Sequence, residues 1–377
     1  VTALQDKFAA LEGALEGELV DRSEEIRCAV LALVAGCSFF TVGPPGTAKS
    51  LLARRVAARI SGAEFFEAQL DKMATPELLF GPWSLSAMRK NRWERELAGT
   101  LATAHLAHLD EVFAAGATLL QGLHWALNER VYRHGTTVIP LPLTTVFCSA
   151  NAVPTDAGLA AFWDRLVLRR VLSNDLDPGD FVRMLQTELV ECPEPLLAWP
   201  EIASAQAAAE QVVLPDEVAQ TVYGIRRRLA EVAICPSPRR FRAAMGVVRA
   251  SAWLDGREVA ESTDLLVLKD ILWLFPDQAL TVSQLVNREL RNSLSPAVLL
   301  LREFQRLKGQ VAAGLPMPQR HALAEELGLK LSRMSTELDV LERRGRTSTT
   351  AQCRRVLEQT NDLILLRLLD TDPAAAL

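Results

Sequence analysis

The stretch FFTVGPPGTAKSLLARRVAARI, residues 39–60, restricts the folds open to this chain more than any other segment. A short apolar run leads into a turn of glycines and prolines, the turn ends in Lys49-Ser50, and a helical pattern follows. Strand, loop and helix in that order form a cradle. Backbone N–H groups face inward at the positive end of a helix, where a phosphate is favoured. The segment Gly43-Pro44-Pro45-Gly46-Thr47-Ala48-Lys49-Ser50 departs from GxxxxGK[ST] at one place, with Ala48 where the second glycine is expected. The expectation is that Ala48 keeps an ordinary helical φ, as a first-turn residue can. Lys49 then reaches the β- and γ-phosphates, the Ser50 hydroxyl binds Mg²⁺, and Leu51 carries the cradle into the helix. A strand–turn–helix with a chance lysine is the other reading. By itself the motif says only that a nucleotide binds.

The surroundings favour the cradle. Between residues 39 and 173 the apolar runs SFFTV, EFFEAQL, AHLAHL, LTTVFCSA and RLVLRRVL alternate with helical stretches, which implies an α/β fold with a parallel sheet between helices. Residues 1–35 read as helical, with Leu4, Phe8, Leu11 and Leu15 at helical spacing. From about residue 174 the strands are expected to stop. PGDFVRMLQTEL, PDEVAQTVYGIRRRLAEV, PRRFRAAMGVVRASAWLDG and STDLLVLKDILWLF follow as amphipathic helices, with SNDLDPGD as the joint. The expected organisation is a nucleotide-binding core over 1–173, an all-α lid over 174–296 and a helical segment over 297–377 that ends in a mobile tail.

Composition narrows the function. The chain has 377 residues, 49% hydrophobic and 23% charged, a globular profile with room for two or three domains. A net charge of −5 gives no global field for nucleic acid. No apolar run is long enough for a bilayer and no signal peptide is evident, although a chain opening at Val1 leaves a trimmed leader open. The six cysteines are scattered without a CxxC pair, which suits buried free thiols in a reducing cytoplasm. His105 and His108 lie three apart in a strand-like run, on opposite faces, so no protein-built metal site is expected.

Further motifs follow in order. LATAHLAHLDEVF is an apolar strand ending in Asp110-Glu111. A carboxylate there can bind Mg²⁺ and its neighbour can deprotonate an attacking water, although paired acids also make a solvated turn. TTVFCSAN ends a second buried strand in Asn151, whose amide can meet the γ-phosphate or the lytic water, or merely shape a turn. In GLAAFWDRLVLRRVL, Arg165 can reach a neighbouring subunit's nucleotide, ahead of Arg169 and Arg170, which also fit as strand-flanking charges. In CPSPRRFRAAMG, Arg239 and Arg240 open a helix, a poor place for cations, and so hint at an anion docked from outside.

The ordered set Lys49, Asp110-Glu111, Asn151, Arg165 and Arg239 resembles that of an AAA+ ATPase: Walker A, Walker B, sensor 1, arginine finger and sensor 2. Within that superfamily it resembles the MoxR group, most closely the RavA branch, over roughly residues 1–290. The carrying stretches are LVDRSEEIRCAVLALVAG, GPPGTAKS, MATPELLFGPWSLSAMRKNRWERELAG, LDEVFAAGATLLQGLHWALNERVYRHG and SPRRFRAAMGVVRASAWLDGREVAESTDLLVLKDILW. The resemblance implies ATP and Mg²⁺ as cofactors and a homo-hexameric ring. Lys49, Ser50, Asp110, Glu111, Asn151 and Arg239 would serve one subunit's nucleotide and Arg165 the next subunit's. It implies that LVDRSEEI lies beside the adenine, and that residues 81–100 form an insert facing the ring's pore. That insert carries Trp83, Met88, Arg89, Lys90, Arg92, Trp93 and Arg95, and it either packs on its own subunit or grips a partner. It also implies a von Willebrand factor A-domain partner and a protein client that is remodelled, matured or activated.

RavA carries a large extra domain in its tail, for which residues 297–377 are too few. Instead RHALAEELGLKLSRMSTELDVLERRGR has a helix-turn-helix rhythm with Gly328 at the turn, so a winged-helix module is one expectation. Glu337, Asp339 and Glu342 on its second helix would repel phosphates, which disfavours DNA. A DNA-associated machine and a nucleotide-gated scaffold stand as the other readings.

Overall fold

The structure is a computed structural model. It describes residues 2–134, 137–153, 159–176, 178–189 and 193–293, with 331, 332, 335, 336, 338, 339, 354 and 357 beyond them. Val1–Asn287 form one compact unit and Arg288–Leu377 a second.

The first unit opens with helices α1 (Thr2–Glu18) and α2 (Ser23–Ala35). Glu24 and Glu25 sit in the first turn of α2, complementing the helix dipole, and Gly36 closes it at φ 58°. Next come β1 (Ser38–Val42), α3 (Lys49–Ala58), β2 (Ile60–Ser61), β3 (Phe65–Gln69), α4 (Pro76–Phe80), α5 (Leu85–Met88) and β4 (Leu106–Asp110). Then follow α6 (Ala117–Glu129), β5 (Val131–His134), β6 (Thr137–Pro140), β7 (Thr145–Ala150), α7 (Ala160–Trp163) and β8 (Leu168–Val171). The remainder is α8 (Pro178–Gln186), β9 (Leu197–Ala198), α9 (Trp199–Glu210), α10 (Asp216–Glu231), α11 (Pro238–Leu254) and α12 (Ala279–Ser293).

Five strands make a parallel sheet in the order β3-β4-β7-β1-β8. Every residue of β1 and β7 is buried, as expected for central parallel strands covered on both faces. The α/β architecture is therefore the one the alternating runs imply. Because all five strands point the same way, the residues that follow β1, β4 and β7 emerge side by side at one edge, and this places the site.

Several local expectations are corrected. Strands do not stop at residue 174, because β9 pairs with β2 in a small parallel sheet. Two residues are too short for a hydrophobic period to mark them. Residues Ser262–Asp270 are a 3₁₀ helix rather than an α-helix. Leu265, Leu268 and Ile271 are fully buried at spacings of three, which a three-residue turn stacks on one face. His105 precedes β4: its Nδ1 accepts from Glu64 N at 2.9 Å and its ring lies 4.5 Å from that of Trp199. Among the described cysteines Cys28 and Cys148 are buried, but Cys235 is exposed.

Residues 81–100 divide into a packed base and an exposed tip. Trp83 and Arg95 face each other across an antiparallel bridge, with the guanidinium 4.1 Å from the indole centroid. Arg95 also donates to Gly81 O at 2.6 Å and Tyr132 Oη at 2.7 Å. At the tip Leu85 and Trp93 are 73% and 66% exposed.

Among the described residues no helix is long and apolar enough to cross a membrane. The helix-turn-helix expectation falls mostly outside the described residues. Within them Leu331, Leu338 and Leu357 are buried and Arg354 pairs with Asp339 at 2.6 Å.

Candidate functional site

The loop from β1 to α3 is shaped by close backbone approaches. A Cβ on Gly43 would stand 2.6 Å from Leu172 O, so no side chain fits there, and Gly46 takes φ 85°. Ala48 does not keep a helical φ. It adopts φ 63°, ψ 22°, the left-handed conformation that the usual glycine takes without strain, and for an alanine this costs about 1–2 kcal/mol. The expectation fails because the turn must reverse the chain within one residue to start α3 at Lys49. No side chain caps α3, so its leading N–H groups are left for an anion.

Lys49 Nζ lies on its own loop, donating to Gly43 O at 2.6 Å, Pro44 O at 3.0 Å and Asn151 Oδ1 at 3.2 Å. Burial lowers its pKa, opposed by Asp110 and Glu111. Asn151 in turn donates through Nδ2 to Glu111 Oε1. Glu111, at the end of β4, stands at φ 51°, another left-handed residue. Lys49, Asn151 and Glu111 are thus one connected group at the carboxyl edge of three adjacent strands.

Asp110 is held by a second group that the sequence analysis missed. Its Oδ1 accepts from Ser149 Oγ at 2.6 Å, Ser149 Oγ meets His108 Nε2 at 2.9 Å, and His108 Nδ1 meets Glu67 Oε1 at 2.9 Å. Glu67 is closed off by Arg54 at 2.8 Å. The chain runs across β3, β4 and β7, with His108 1% exposed and its pKa lowered by burial. A histidine inside an otherwise apolar strand was the signal, since a buried polar group must find partners.

Beside the loop lies a cavity of about 470 Å³ lined by Leu19, Val20, Pro45, Phe181 and Met184 among others. The LVDRSEEI stretch reaches it through Leu19, Val20 and Arg22.

Arg165 lies elsewhere. Its carbonyl accepts from Ser38 Oγ at 3.0 Å, and Ser38 begins β1 whereas the loop to α3 leaves its end. At about 3.3 Å per residue the two ends of β1 are about 13 Å apart. Arg165 Nε is buried with no hydrogen-bond partner among the described residues. Arg239 is exposed and lies near Arg165: burial chiefly, then the Arg239 charge, lowers the Arg165 pKa. His124 of α6 is lowered by burial and then by both arginines. The grouping of Arg239 with Lys49 is therefore corrected, because the start of α11 is bound to the turn that carries Arg165. Ser237 Oγ donates to Asp164 Oδ2 at 2.8 Å and caps α11 by accepting from Arg240 N at 3.1 Å.

Arg240, the other candidate there, is 1% exposed and faces inward. Arg169 is fully buried, its guanidinium 3.7 Å from the Trp163 ring centroid. Arg170 pairs with Glu24, Glu25 and Asp270 at 2.6, 2.9 and 2.9 Å.

Comparison with known proteins shows the family. Residues 6–206 match the MoxR domain in the MoxR-vWA-beta-propeller ternary systems, and residues 217–286 match an AAA lid domain. An uncharacterised protein of Methanocaldococcus jannaschii is 31% identical over 287 residues, covering 76% of this chain and 75% of that one. A second from the same organism is 32% identical over 270 residues, covering 71% and 72%. The crystal structure of a proposed ATPase from Cytophaga hutchinsonii has a TM-score of 0.63 at 18% identity, covering 78% of this chain and 96% of that chain, a likeness of fold.

Proposed function

The chain belongs to the MoxR family of AAA+ ATPases, and from that premise we propose that it hydrolyses Mg-ATP in a six-membered ring that remodels or activates a protein client. One observation carries the reading: Lys49, Asp110, Glu111 and Asn151 converge at one edge of the sheet, while Arg165 and Arg239 stand at the other end of β1. Two cations at the far end of the strand from their own phosphate loop are better placed for a neighbour's nucleotide.

The residues fit the substrate. The uncapped start of α3 and the Lys49 ammonium suit phosphates, and the apolar cavity beside them suits a base. Gly43, Pro44, Pro45, Gly46, Thr47, Ala48 and Leu51 complete the cradle. Mg²⁺, held by Ser50 and Asp110, would neutralise charge on the β- and γ-oxygens. Lys49 leaves its loop carbonyls for phosphate, and this frees the Asn151 Oδ1. Asn151 then orients the attacking water, and Glu111 takes its proton. Arg165, with its unpartnered Nε, and Arg239 reach in from the next subunit and offset the negative charge of the transition state.

In this reading 1–173 are the core, 174–296 the lid and 297–377 a helical, winged-helix-like segment, in a cytoplasmic protein of the RavA branch. The partner is a von Willebrand factor A-domain protein, consistent with the systems that the matched domain comes from. The client meets the insert tip, where Arg89, Lys90, Arg92 and Trp93 are exposed. The same basic and aromatic tip supports a second reading, a DNA-associated machine, whose ATPase DNA would stimulate.

The deciding experiment measures ATPase activity against protein concentration, with native mass in parallel, for wild type and Arg165→Ala. Activity that rises with assembly, and a variant that assembles without turning over, are expected. A monomer that hydrolyses ATP equally well and ignores the substitution would sink the shared site and favour a nucleotide-gated scaffold.

A further inference from the structure

Arg240 and Arg169 bury two guanidinium groups against the turn that carries Arg165, and neither faces the phosphate loop. Arg240 Nη2 donates to Asp164 O at 2.8 Å and Trp163 O at 3.0 Å, and Nη1 to Leu166 O at 3.1 Å. Nη1 also donates to Ile271 O at 3.0 Å. Arg169 donates to Leu166 O at 2.9 Å through Nε, to Trp273 O at 2.6 Å through Nη1, and to Trp163 O. Both therefore hold the carbonyls of one turn, residues 163–167, and both reach across to the segment 271–273. Trp163 Nε1 adds a third tie, to Leu274 O at 2.6 Å.

Two like charges this close are costly without counter-ions. Burial pushes the Arg169 pKa well below its usual value, with the Arg240 charge adding to it, and burial brings Arg240 down to about 10. One carboxylate, Asp164, opposes that of Arg240, at 3.4 Å from Nε. A core built for stability alone is served as well by apolar side chains. What this arrangement supplies instead is geometry. A planar guanidinium with several fixed donors locks the positions of the carbonyls it binds, which an ammonium cannot do.

We propose that Arg240 and Arg169 are positioning residues that make the 163–167 turn, the first turn of α11 and the 271–274 segment one rigid body. Arg165 and Arg239 then reach the neighbouring subunit's nucleotide as a pre-set pair. Any displacement of α11 moves Arg165 with it, so the lid and the arginine finger act together. The proposal rests on Arg165 acting on a neighbour.

The test uses Arg240→Lys in the full chain. It keeps the charge and loses the fork. With folding and ADP binding by its own phosphate loop intact, kcat is expected to fall about 10²-fold, the scale of an ångström's misplacement, while KM for ATP stays unchanged. Mixing Arg240→Lys with Lys49→Ala subunits should then restore activity. One subunit brings an intact phosphate loop and the other an intact arginine pair. Arg165→Ala mixed with Lys49→Ala is the control. If the control restores activity and the Arg240→Lys mixture does not, or if Arg240→Lys alone keeps the wild-type kcat, the positioning role is overturned and the shared site stands. If the control itself fails, the shared site falls and the positioning role with it. Should Arg240→Lys not fold, Asp164→Asn, which weakens the hold on Arg240 and Ser237, carries the same comparison.

Discussion

Lys49 and Arg240 both point at backbone carbonyls, at opposite ends of β1, with opposite consequences. Lys49 is half-buried and rests on two carbonyls of its own loop and one amide oxygen. An arriving phosphate offers it a stronger, charge-assisted partner. Arg240 has no exposed side-chain surface and holds the carbonyls of a turn and of a segment far along the chain. Nothing from outside can replace those bonds. One end of the sheet holds bonds that are open to exchange and the other holds bonds that are closed to it, and the half-buried Arg165 and the exposed Arg239 stand at the closed end.

The sharpest way to break this comparison is Arg165→Ala. Activity of the assembled protein is expected to drop about 10³-fold with assembly intact. Equal loss of assembly would mean that the residue holds subunits together instead. Next is Glu111→Gln, expected to lower turnover at least about 10²-fold while ATP binding, followed by equilibrium titration, persists. Loss of binding in that variant would remove Glu111 from the role of base.

Stability should separate inward from outward arginines. Arg169→Ala removes the bond to the Trp273 carbonyl and leaves a cavity between two tryptophans, so urea unfolding should show a loss of about 3 kcal/mol. Arg239→Ala should stay within about 0.5 kcal/mol, as a solvated side chain does. Similar losses for both would erase the contrast. The one gain expected is at the Lys49 end: Ala48→Gly should raise stability by about 1 kcal/mol by removing the left-handed alanine. An unchanged unfolding midpoint would mean that the loop relaxes in solution.

Much of the sheet edge that carries Lys49, Glu111 and Asn151 could be read in advance. The runs SFFTV and TTVFCSAN form the buried strands expected of them, and Asp110-Glu111 and Asn151 end neighbouring strands. Other features escaped. The φ of Ala48 was misjudged because alanine's own preference is helical and the loop overrides it. The Glu67–His108–Ser149–Asp110 chain joins three strands whose adjacency no spacing encodes. Leu265, Leu268 and Ile271 satisfy an α-helical and a 3₁₀ period over so short a stretch, and packing selected the tighter one.

The five strands of the main sheet, the glycine-rich loop between β1 and α3 and the acids at a strand end were determined by the sequence alone. Each depends on residues close in the chain, where hydrophobic period, glycine placement and helix-start chemistry act on adjacent backbone. Which of Arg239 and Arg240 turns inward, and which residues Arg239 accompanies, only the tertiary structure decided. Both side chains open the same helix turn with the same charge. The carbonyls that draw one of them in belong to a turn more than seventy residues earlier and come within reach only when α11 packs against it.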